Sequence, residues 1–410
     1  MNKKLSRRDF LKLAGVTSAG FALSACGVKA TDLPMATSTL PPTIAPSMTP
    51  SSIPSSTSSP TPKPPSLRGY AEKIQINGES FKIGTMVDYG DPDWDTNIHQ
   101  QTVVNEFNQI VSSGAFMFQW MDKYPTAAPH WLDLAEKNNL AFEIKQIFWQ
   151  GDEPFAINKE SVNQDSVKQF MIERIRKVLP YVSKKVPTQI VLANEPFWEY
   201  KGDRGWEGKY GGSPFYQVYG EKWIAEAYSL LYQIAKDEFG LIVGEDFRVI
   251  GLNERGISTP SRQTDFVISQ VNKIKQDISS KLQIPVEQVP FDLGTEFHFG
   301  ETNKNRNVTV KYSDVDKDIF KNTFIEINQQ TGCPVFVTET SDLGGTEDDV
   351  AKAYSTLITA AIESGVVRGV EFWATFTFQS NPPWQCSLFL PGFEKGKVYN
   401  SVLNTLSQFA

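Results

Sequence analysis

Histidine is scarce in this chain, which contains only three among 410 residues. His99, His130 and His298 lie far apart and show none of the short spacings that bring imidazoles together on one metal ion. We therefore expect neither a metal-dependent hydrolase nor a bound cofactor.

Cysteine is equally rare, with Cys26, Cys333 and Cys386 as the complete set. Cys333 precedes a predicted strand, whereas Cys386 follows the end of the next predicted strand, so the two should face opposite ends of a domain. We expect no disulfide between them, because two thiols must lie close together before they can join.

Basic residues are not in excess, since the formal net charge is −7 at pH 7. Nucleic-acid-binding proteins concentrate Lys and Arg on one surface, so we expect no nucleic acid partner. A neutral or weakly charged polymer is compatible with this charge, and we expect the protein to be a monomer.

Near the N-terminus, the apolar run over residues 13–25 is too short to span a bilayer as a mature helix. It follows Arg7 and Arg8, a pairing that resembles a twin-arginine export signal. Residues 23–26, Leu-Ser-Ala-Cys, resemble a bacterial lipobox, and the alternative is an ordinary cleavage site beside an incidental cysteine.

We therefore expect residues 1–25 to be a signal peptide that is removed, with Cys26 becoming the lipid-modified N-terminus. Several acyl chains on one cysteine hold a protein stably at a membrane surface. The protein would then be an extracytoplasmic lipoprotein, facing the cell surface or the periplasm, and would contact the membrane only through its lipid.

The next segment is rich in Pro, Ser and Thr, and ten of the 25 prolines lie between residues 30 and 66. Such a composition cannot bury a core, so residues 26–68 are predicted to form an extended tether. Residues 69–410 then form one catalytic domain.

Within that domain, short runs rich in Val, Ile and Phe alternate with longer segments of helical periodicity, a pattern typical of a parallel sheet covered by helices. Eight strands are predicted, over residues 81–87, 115–119, 141–147, 188–192, 247–252, 291–297, 335–338 and 367–373. Helices are predicted over residues 165–182, capped by Asp165, then 216–239, ended by Gly240, and 262–278, 313–331, 348–364 and 398–409. Eight alternations predict an α/β fold of the (β/α)8 type, a TIM barrel.

In such a barrel the chemistry lies at the C-terminal ends of the strands. The fourth predicted strand leads into Asn194 and Glu195, the seventh into Glu339, and the sixth into His298. Two carboxyl groups converging on one barrel mouth are the requirement for glycosidic cleavage, one as proton donor and one as nucleophile. His298 could donate a hydrogen bond to the nucleophile, and Asn194 could bind a sugar hydroxyl.

Each of these residues also has a plainer interpretation. A glutamate after a strand is commonly a solvated loop residue, Glu339 could belong to a buried ion pair, and His298 could be a structural histidine. The tryptophans supply an independent argument, because seven of nine fall at predicted strand ends or in the loops that follow. Flat rings at a barrel mouth suit sugar faces, and we expect Trp373 and Trp384 to form such platforms.

From about Lys82 onward the chain resembles glycoside hydrolase family ten, the endo-β-1,4-xylanase family of retaining barrels. The resemblance rests on motifs in the family's order: Phe107-Asn108 leading to Trp120, residues 134–140 leading to Phe148-Trp149, residues 190–195, residues 295–298, residues 335–339, and Phe372-Trp373 through Trp384 to Tyr399 and Leu403. It implies Glu195 as acid/base and Glu339 as nucleophile of a retaining glycosidase, with Asn194, His298, Trp373, Trp384, Trp149 and Gln150 binding substrate.

The chain also departs from that family. The polar pair and lysine of the family's second strand are missing from residues 115–119, its two strand-three histidines are replaced by Lys145 and Gln150, and its strand-six glutamine is Glu296. The chemistry is therefore expected to be preserved while sugar recognition differs. A xylan-like β-linked backbone is the expected substrate.

Two rival functions remain open at this stage. One is a non-catalytic glycan-binding lipoprotein on the same barrel. The other is a barrel enzyme that binds phosphorylated metabolites through residues 343–346, since barrels often hold phosphate after strand seven.

Overall fold

The computed structural model describes residues 64–87, 96–149, 162–197, 213–300, 308–373, 375 and 388–410. The predictions for the signal peptide, Cys26, almost all of the tether, Gln150, Trp384 and Cys386 lie outside the described residues. Among the described helices, none is both long and apolar enough to cross a membrane.

Eight parallel strands form a closed ring, which confirms the predicted barrel. In chain order the strands are β1 Lys82–Met86, β2 Gln109–Ser112, β3 Ala141–Trp149, β4 Thr188–Asn194, β5 Arg248–Arg255, β6 Asp292–Gly300, β7 Val335–Asp342 and β8 Val367–Phe372. Each strand pairs with the next, and β8 returns to pair with β1, where Gly369 lies opposite Lys82. All strand C-termini therefore open at the same end of the barrel.

Helices follow the strands and cover the outside of the ring. They are Leu67–Ala71, Asn97–Glu106, Phe118–Met121, Ala127–Asn138, Gln164–Val178, Pro214–Tyr219, Trp223–Phe239, Arg262–Leu282, Lys317–Thr331, Glu347–Ser364 and Lys397–Ser407. Short pairs of strands at Gln75–Ile76 with Glu79–Ser80, and at Phe389–Leu390 with Glu394–Lys395, lie outside the ring, and Val310–Lys311 extends the sheet beside β6.

The second strand was predicted in the wrong place. Residues 115–119 instead contribute to a 3-10 turn, Gly114–Phe116, and a short helix, Phe118–Met121. Phe116 packs outside the ring, edge-on against Phe142 and Tyr181. This packing explains why an apolar residue occurs here without a strand. The true strand, Gln109–Ser112, begins with Gln109, whose side chain faces Glu371 in the barrel interior, so its sequence lacks the apolar pattern expected of a buried strand.

Several helix boundaries also differ from the prediction by one to four residues. The fifth helix begins one residue earlier, and Asn163 rather than Asp165 is its N-cap, accepting a hydrogen bond from the Ser166 backbone. The predicted helix over 216–239 is interrupted at Gly220, whose φ of 58° belongs to the left-handed region. Gly240 does end the second part, as predicted.

The barrel interior contains a layer of polar side chains as well as a small apolar cluster of Val191, Ile250 and Phe336. Gln109 Nε2 donates to Glu371 Oε1 at 2.6 Å, and Gln189 Nε2 donates to the same oxygen at 3.1 Å. Gln189 also hydrogen-bonds Glu143. This layer lies directly below the side chains that reach the barrel mouth.

A carboxyl group in this layer needs both space and a proton. Gly84 provides the space, because a Cβ there would lie 2.8 Å from Glu371 Cγ. Burial raises the pKa of Glu371 well above its ordinary value, and the adjacent charge of Glu143 raises that pKa further. Glu371 is therefore expected to keep its proton inside the folded barrel.

We expect Glu371→Gln to fold normally, because glutamine offers the same donor and acceptor as a protonated glutamate. In the wild type the free energy of unfolding should fall as pH rises above about 4.5, since the folded chain keeps a proton that the unfolded chain releases. This single proton contributes up to about 1.4 kcal/mol per pH unit, and the variant should lack that contribution.

Urea unfolding between about pH 5 and about pH 9 measures the difference. Glu238→Gln is the control, because Glu238 lies in an exposed ion pair with Arg176. Identical pH dependence in the wild type and Glu371→Gln would show that Glu371 carries no proton in the folded state.

Candidate active site

One cavity of about 170 Å³ opens at the C-terminal ends of the strands. Its lining residues are Ser113, Met117, Gln146, Trp149, Asn194, Glu195, Arg255, His298, Glu339 and Trp373. All six of the sequence-predicted site residues that the structure describes therefore lie around the same space. These six are Trp149, Asn194, Glu195, His298, Glu339 and Trp373.

Glu195 is held in an unusual backbone conformation directly after β4. Its φ of 48° lies in the left-handed region, which a residue with a side chain adopts at a cost of about 1–3 kcal/mol. Its backbone N–H donates to the Asn253 carbonyl at 2.7 Å, which fixes it against β5. The side chain accepts a hydrogen bond from Trp149 Nε1 at 3.1 Å and forms an ion pair with Arg255.

Glu339 enters the cavity from β7 and is 7% exposed. Its Oε1 lies 3.0 Å from the ammonium of Lys145, which is fully buried and also donates to the Thr338 carbonyl at 2.6 Å. The same ammonium lies 5.3 Å from the centre of the Trp373 ring. Lys145 therefore connects the carboxylate to the aromatic wall of the cavity.

A third carboxylate, Glu296, lies beside Glu339 on the neighbouring strand. Its Oε1 accepts from Asn253 Nδ2 at 2.6 Å and its Oε2 lies 3.0 Å from His298 Nε2. Arg255 Nε is 3.5 Å from the same Oε2. Glu296 is therefore surrounded by donors.

The two neighbouring carboxyl groups have opposite electrostatic surroundings. Burial raises the pKa of Glu339, as does the charge of Glu296, and the opposing effects of Lys145 and His298 do not cancel this rise. Burial acts on Glu296 in the same direction, but the His298 hydrogen bond and the Arg255 charge outweigh it and lower the pKa of Glu296. Glu296 is thus firmly ionised, whereas the charge on Glu339 depends on Lys145.

His298 is positioned by a hydroxyl on the neighbouring strand, since its Nδ1 lies 2.6 Å from Ser341 Oγ. Ser341 can donate to Nδ1, which leaves Nε2 as the donor. Nε2 lies 3.0 Å from Glu296 Oε2 and 3.7 Å from Glu339 Oε2, so Glu296 is the nearer acceptor.

Asn194 is oriented by Asn253, whose Nδ2 donates to Asn194 Oδ1 at 2.7 Å. Gly294 makes room for this contact, because a Cβ there would lie 2.6 Å from Asn253 Oδ1. Asn253 therefore connects Asn194 and Glu296, residues of two different strands.

Three charged residues of the site were not predicted as site residues: Lys145, Arg255 and Glu296. Lys145 and Glu296 were recognised only as departures from a family pattern. Arg255 was missed because the fifth strand was predicted to end at residue 252, three residues too early. With the observed end, the same rule that selected Glu195 and Glu339 would have selected Arg255.

Glu296, His298 and Glu339 bring three potential metal ligands within 4.8 Å of one another. Lys145 and Arg255 already lie beside these carboxylates and neutralise them. A divalent cation would have to approach two fixed positive charges, so the charges present favour ion pairs within the protein.

Comparison with known proteins agrees with this architecture. Residues 72–404 match the model of the family described as glycosyl hydrolase family 10. No curated protein sequence matches the chain.

Solved structures with the same fold share little sequence with the chain. Xylanase 10B from Thermotoga maritima has 18% identity and a TM-score of 0.64, covering 84% of this chain and 98% of that one. Xylanase 10B from Thermotoga petrophila RKU-1, solved with xylobiose, also has 18% identity and a TM-score of 0.64, covering 85% and 99%. Endo-1,4-beta-xylanase XylE from Penicillium canescens has 18% identity and a TM-score of 0.63, covering 84% and 98%.

We expect Lys145→Met to destabilise the fold by about 3–5 kcal/mol near pH 8, because it leaves Glu339 buried without its cation. Loss of Lys145 should raise the pKa of Glu339 further, so the cost should be smaller at about pH 5, where Glu339 takes up a proton. The double variant Lys145→Met with Glu339→Gln should recover part of the loss, and urea unfolding at both pH values measures each effect.

Lys137→Met is the control, since Lys137 forms an exposed ion pair with Asp133. A loss of stability that is independent of pH and unchanged by Glu339→Gln would contradict the pairing.

Proposed function

Because the chain belongs to glycosyl hydrolase family 10, and is therefore a glycoside hydrolase, we propose that it cleaves β-linked glycans with retention of configuration. Glu195 is the acid/base and Glu339 is the nucleophile. The observation that carries this assignment is that two buried carboxyl groups from β4 and β7 line one cavity. They have distinct polar partners, Trp149 and Arg255 for Glu195, and Lys145 for Glu339.

In the first step Glu195 gives its proton to the glycosidic oxygen while Glu339 attacks the anomeric carbon. The bond to the leaving sugar breaks, and an ester forms between Glu339 and the remaining sugar. In the second step a water molecule loses a proton to Glu195 and attacks the same carbon, which releases Glu339 as a carboxylate. Two inversions at one carbon give net retention.

The surroundings of Glu339 suit a nucleophile. Lys145 binds Oε1, so the other oxygen, Oε2, is the atom available for attack. The ammonium favours the ionised form that attack requires and fixes the orientation of the carboxylate. Asn194 lies beside the reacting carbon in this arrangement and is proposed to bind a hydroxyl of the sugar.

A xylan-like backbone is the proposed substrate, and two xylanases of similar structure were solved with xylobiose. Trp149 and Trp373 supply aromatic surfaces on two sides of the cavity. Ser113 and Met117 line it after β2, and Lys145 of β3 contacts Glu339 in its wall, so contacts with the sugars on that side would differ from those of a xylanase.

We also propose that the mature chain begins at a lipid-modified Cys26 and that residues 26–68 hold residues 69–410 away from the membrane. The motif over residues 23–26 and the tether composition support this arrangement. An enzyme tethered in this way would act on glycans outside the cytoplasm.

We expect Glu339→Gln to reduce release of reducing sugar from β-linked xylan below detection, because the amide cannot attack the anomeric carbon. Glu195→Ala should reduce turnover of xylan by about 10²–10⁴-fold and that of an aryl glycoside with a good leaving group much less, since the latter needs no proton. Proton NMR of the first-formed product should show the β-anomer.

Glu238→Gln serves as the control for loss of a carboxylate, because Glu238 lies in an exposed ion pair with Arg176 and does not line the cavity. An α-anomer as the first product would contradict Glu339 as nucleophile. Glycan binding without turnover, unchanged by Glu339→Gln, would instead establish the non-catalytic binding function.

We expect Cys26→Ala to release the protein from the membrane fraction of the producing cell and to abolish incorporation of labelled fatty acid. The barrel should keep its activity, since lipid attachment lies outside it. Cys333→Ala is the control, because Cys333 is a buried thiol of the barrel. Unchanged membrane association of Cys26→Ala would contradict the lipid anchor.

A further inference from the structure

Glu296 is a buried carboxylate that takes no part in the cleavage steps proposed above. It lies on β6, and its side chain is 0% exposed. Its Oε1 accepts a hydrogen bond from Asn253 Nδ2 at 2.6 Å, whereas its Oε2 lies 3.0 Å from His298 Nε2 and 3.5 Å from Arg255 Nε. Each oxygen of Glu296 therefore faces a different set of donors.

Glu296 determines which way the Asn253 amide points. Burial opposes the ionisation of Glu296, but the His298 hydrogen bond and the Arg255 charge outweigh burial and lower the pKa of Glu296. Since an ionised carboxylate can only accept hydrogen bonds, the nitrogen of the Asn253 amide must face Glu296. Thr338 donates to the oxygen of that amide, but a hydroxyl can donate or accept, so Thr338 would fit either orientation. Glu296 is therefore the group that selects one of them.

The orientation of Asn253 in turn fixes that of Asn194. Asn253 Nδ2 donates its second hydrogen to Asn194 Oδ1 at 2.7 Å, so the oxygen of the Asn194 amide is occupied within the protein. Asn194 lines the cavity, and its Nδ2 has no hydrogen-bond partner among the residues that the structure describes. The group that Asn194 can offer to a ligand is thus a hydrogen-bond donor.

We propose that Glu296, acting through Asn253, is a positioning residue that makes Asn194 a hydrogen-bond donor to the sugar hydroxyl beside the reacting carbon. The inference rests on the proposed function, in which Asn194 binds this hydroxyl. The hydroxyl oxygen accepts from Asn194 Nδ2. Because the amide is oriented before the sugar arrives, binding requires no rotation of Asn194.

Glu296→Gln should reverse this arrangement. The position of Oε2 faces two donors, His298 Nε2 and Arg255 Nε, so the amide oxygen of the new side chain belongs there and its nitrogen faces Asn253. Asn253 must then turn its oxygen toward that nitrogen and toward Asn194. Asn194 would donate to Asn253 and present its own oxygen to the cavity.

Three aryl β-xylosides distinguish the two orientations. Beside the reacting carbon, the first carries the natural hydroxyl, which can accept or donate, the second carries fluorine, which can only accept, and the third carries hydrogen, which does neither. Release of the aryl group in the first step gives a second-order rate constant for each compound. The inductive effect of fluorine is common to all variants, so it cancels when the fluoro-to-deoxy ratio is compared between them.

We expect Glu296→Gln to lower the fluoro-to-deoxy ratio at least about tenfold relative to the wild type, because the oxygen of Asn194 would then oppose the fluorine. The hydroxyl compound should lose less, since its hydroxyl can donate to that oxygen. In an Asn194→Ala background, Glu296→Gln should no longer change the ratio.

Two variants serve as controls. Glu296→Asp should keep the wild-type ratio, because it retains a group that can only accept. Glu371→Gln should also leave the ratio unchanged, since Glu371 is a buried carboxyl of the barrel that contacts Gln109 and Gln189 instead of Asn253.

An equal loss on all three compounds would show that Glu296 has only a structural role, which would overturn the inference and leave the glycosidase intact. A neutron structure of the wild type tests the same orientation without a variant. It should show deuterium on the Asn194 atom that faces the cavity, and an oxygen there would also overturn the inference. If the wild type released the aryl group from none of the compounds, the proposed function would be contradicted, and the neutron structure would still decide the orientation of Asn194.

Discussion

The contact between Lys145 and Glu339 is the interaction on which the rest of the site depends. A carboxylate buried inside a barrel is costly, and so is an ammonium without water, so the contact between them offsets part of both costs. Lys145 comes from β3 and Glu339 from β7, and the ion pair therefore crosses the barrel interior. The raised pKa of Glu371 limits the negative charge near this ion pair.

Glu195 and Glu339 are held in position by different interactions. Glu339 lies within β7 and is fixed by an ion pair, whereas Glu195 follows its strand in a strained conformation and is fixed by a backbone hydrogen bond to β5. Asn253 lies between them, contacting Asn194 and Glu296 through one side-chain amide. A few side chains thus connect residues of several strands, and these contacts fix the distances between the side chains that line the cavity.

The barrel and its two carboxyl groups could be predicted from sequence because they rest on local patterns. Residues 335–337 are apolar on both faces of the strand, and a glutamate so soon after them is unexpected at a buried position. The second strand could not be predicted in the same way, because Gln109 faces Glu371, and that partner is 262 residues away. Likewise, the pairing of Arg255 with Glu195 joins residues of two different strands, and no local sequence pattern indicates it.

The left-handed backbone conformation of Glu195 affects which substitutions would stabilise this protein during evolution. At a φ of 48° glycine or asparagine would be accommodated with less strain than glutamate, so the chain could gain stability by substitution at this single position. The active site is therefore held away from the stability optimum of the fold. A lineage released from selection for catalysis would be expected to lose Glu195 early, and the catalytic role proposed for Glu195 would account for a glutamate in this strained position.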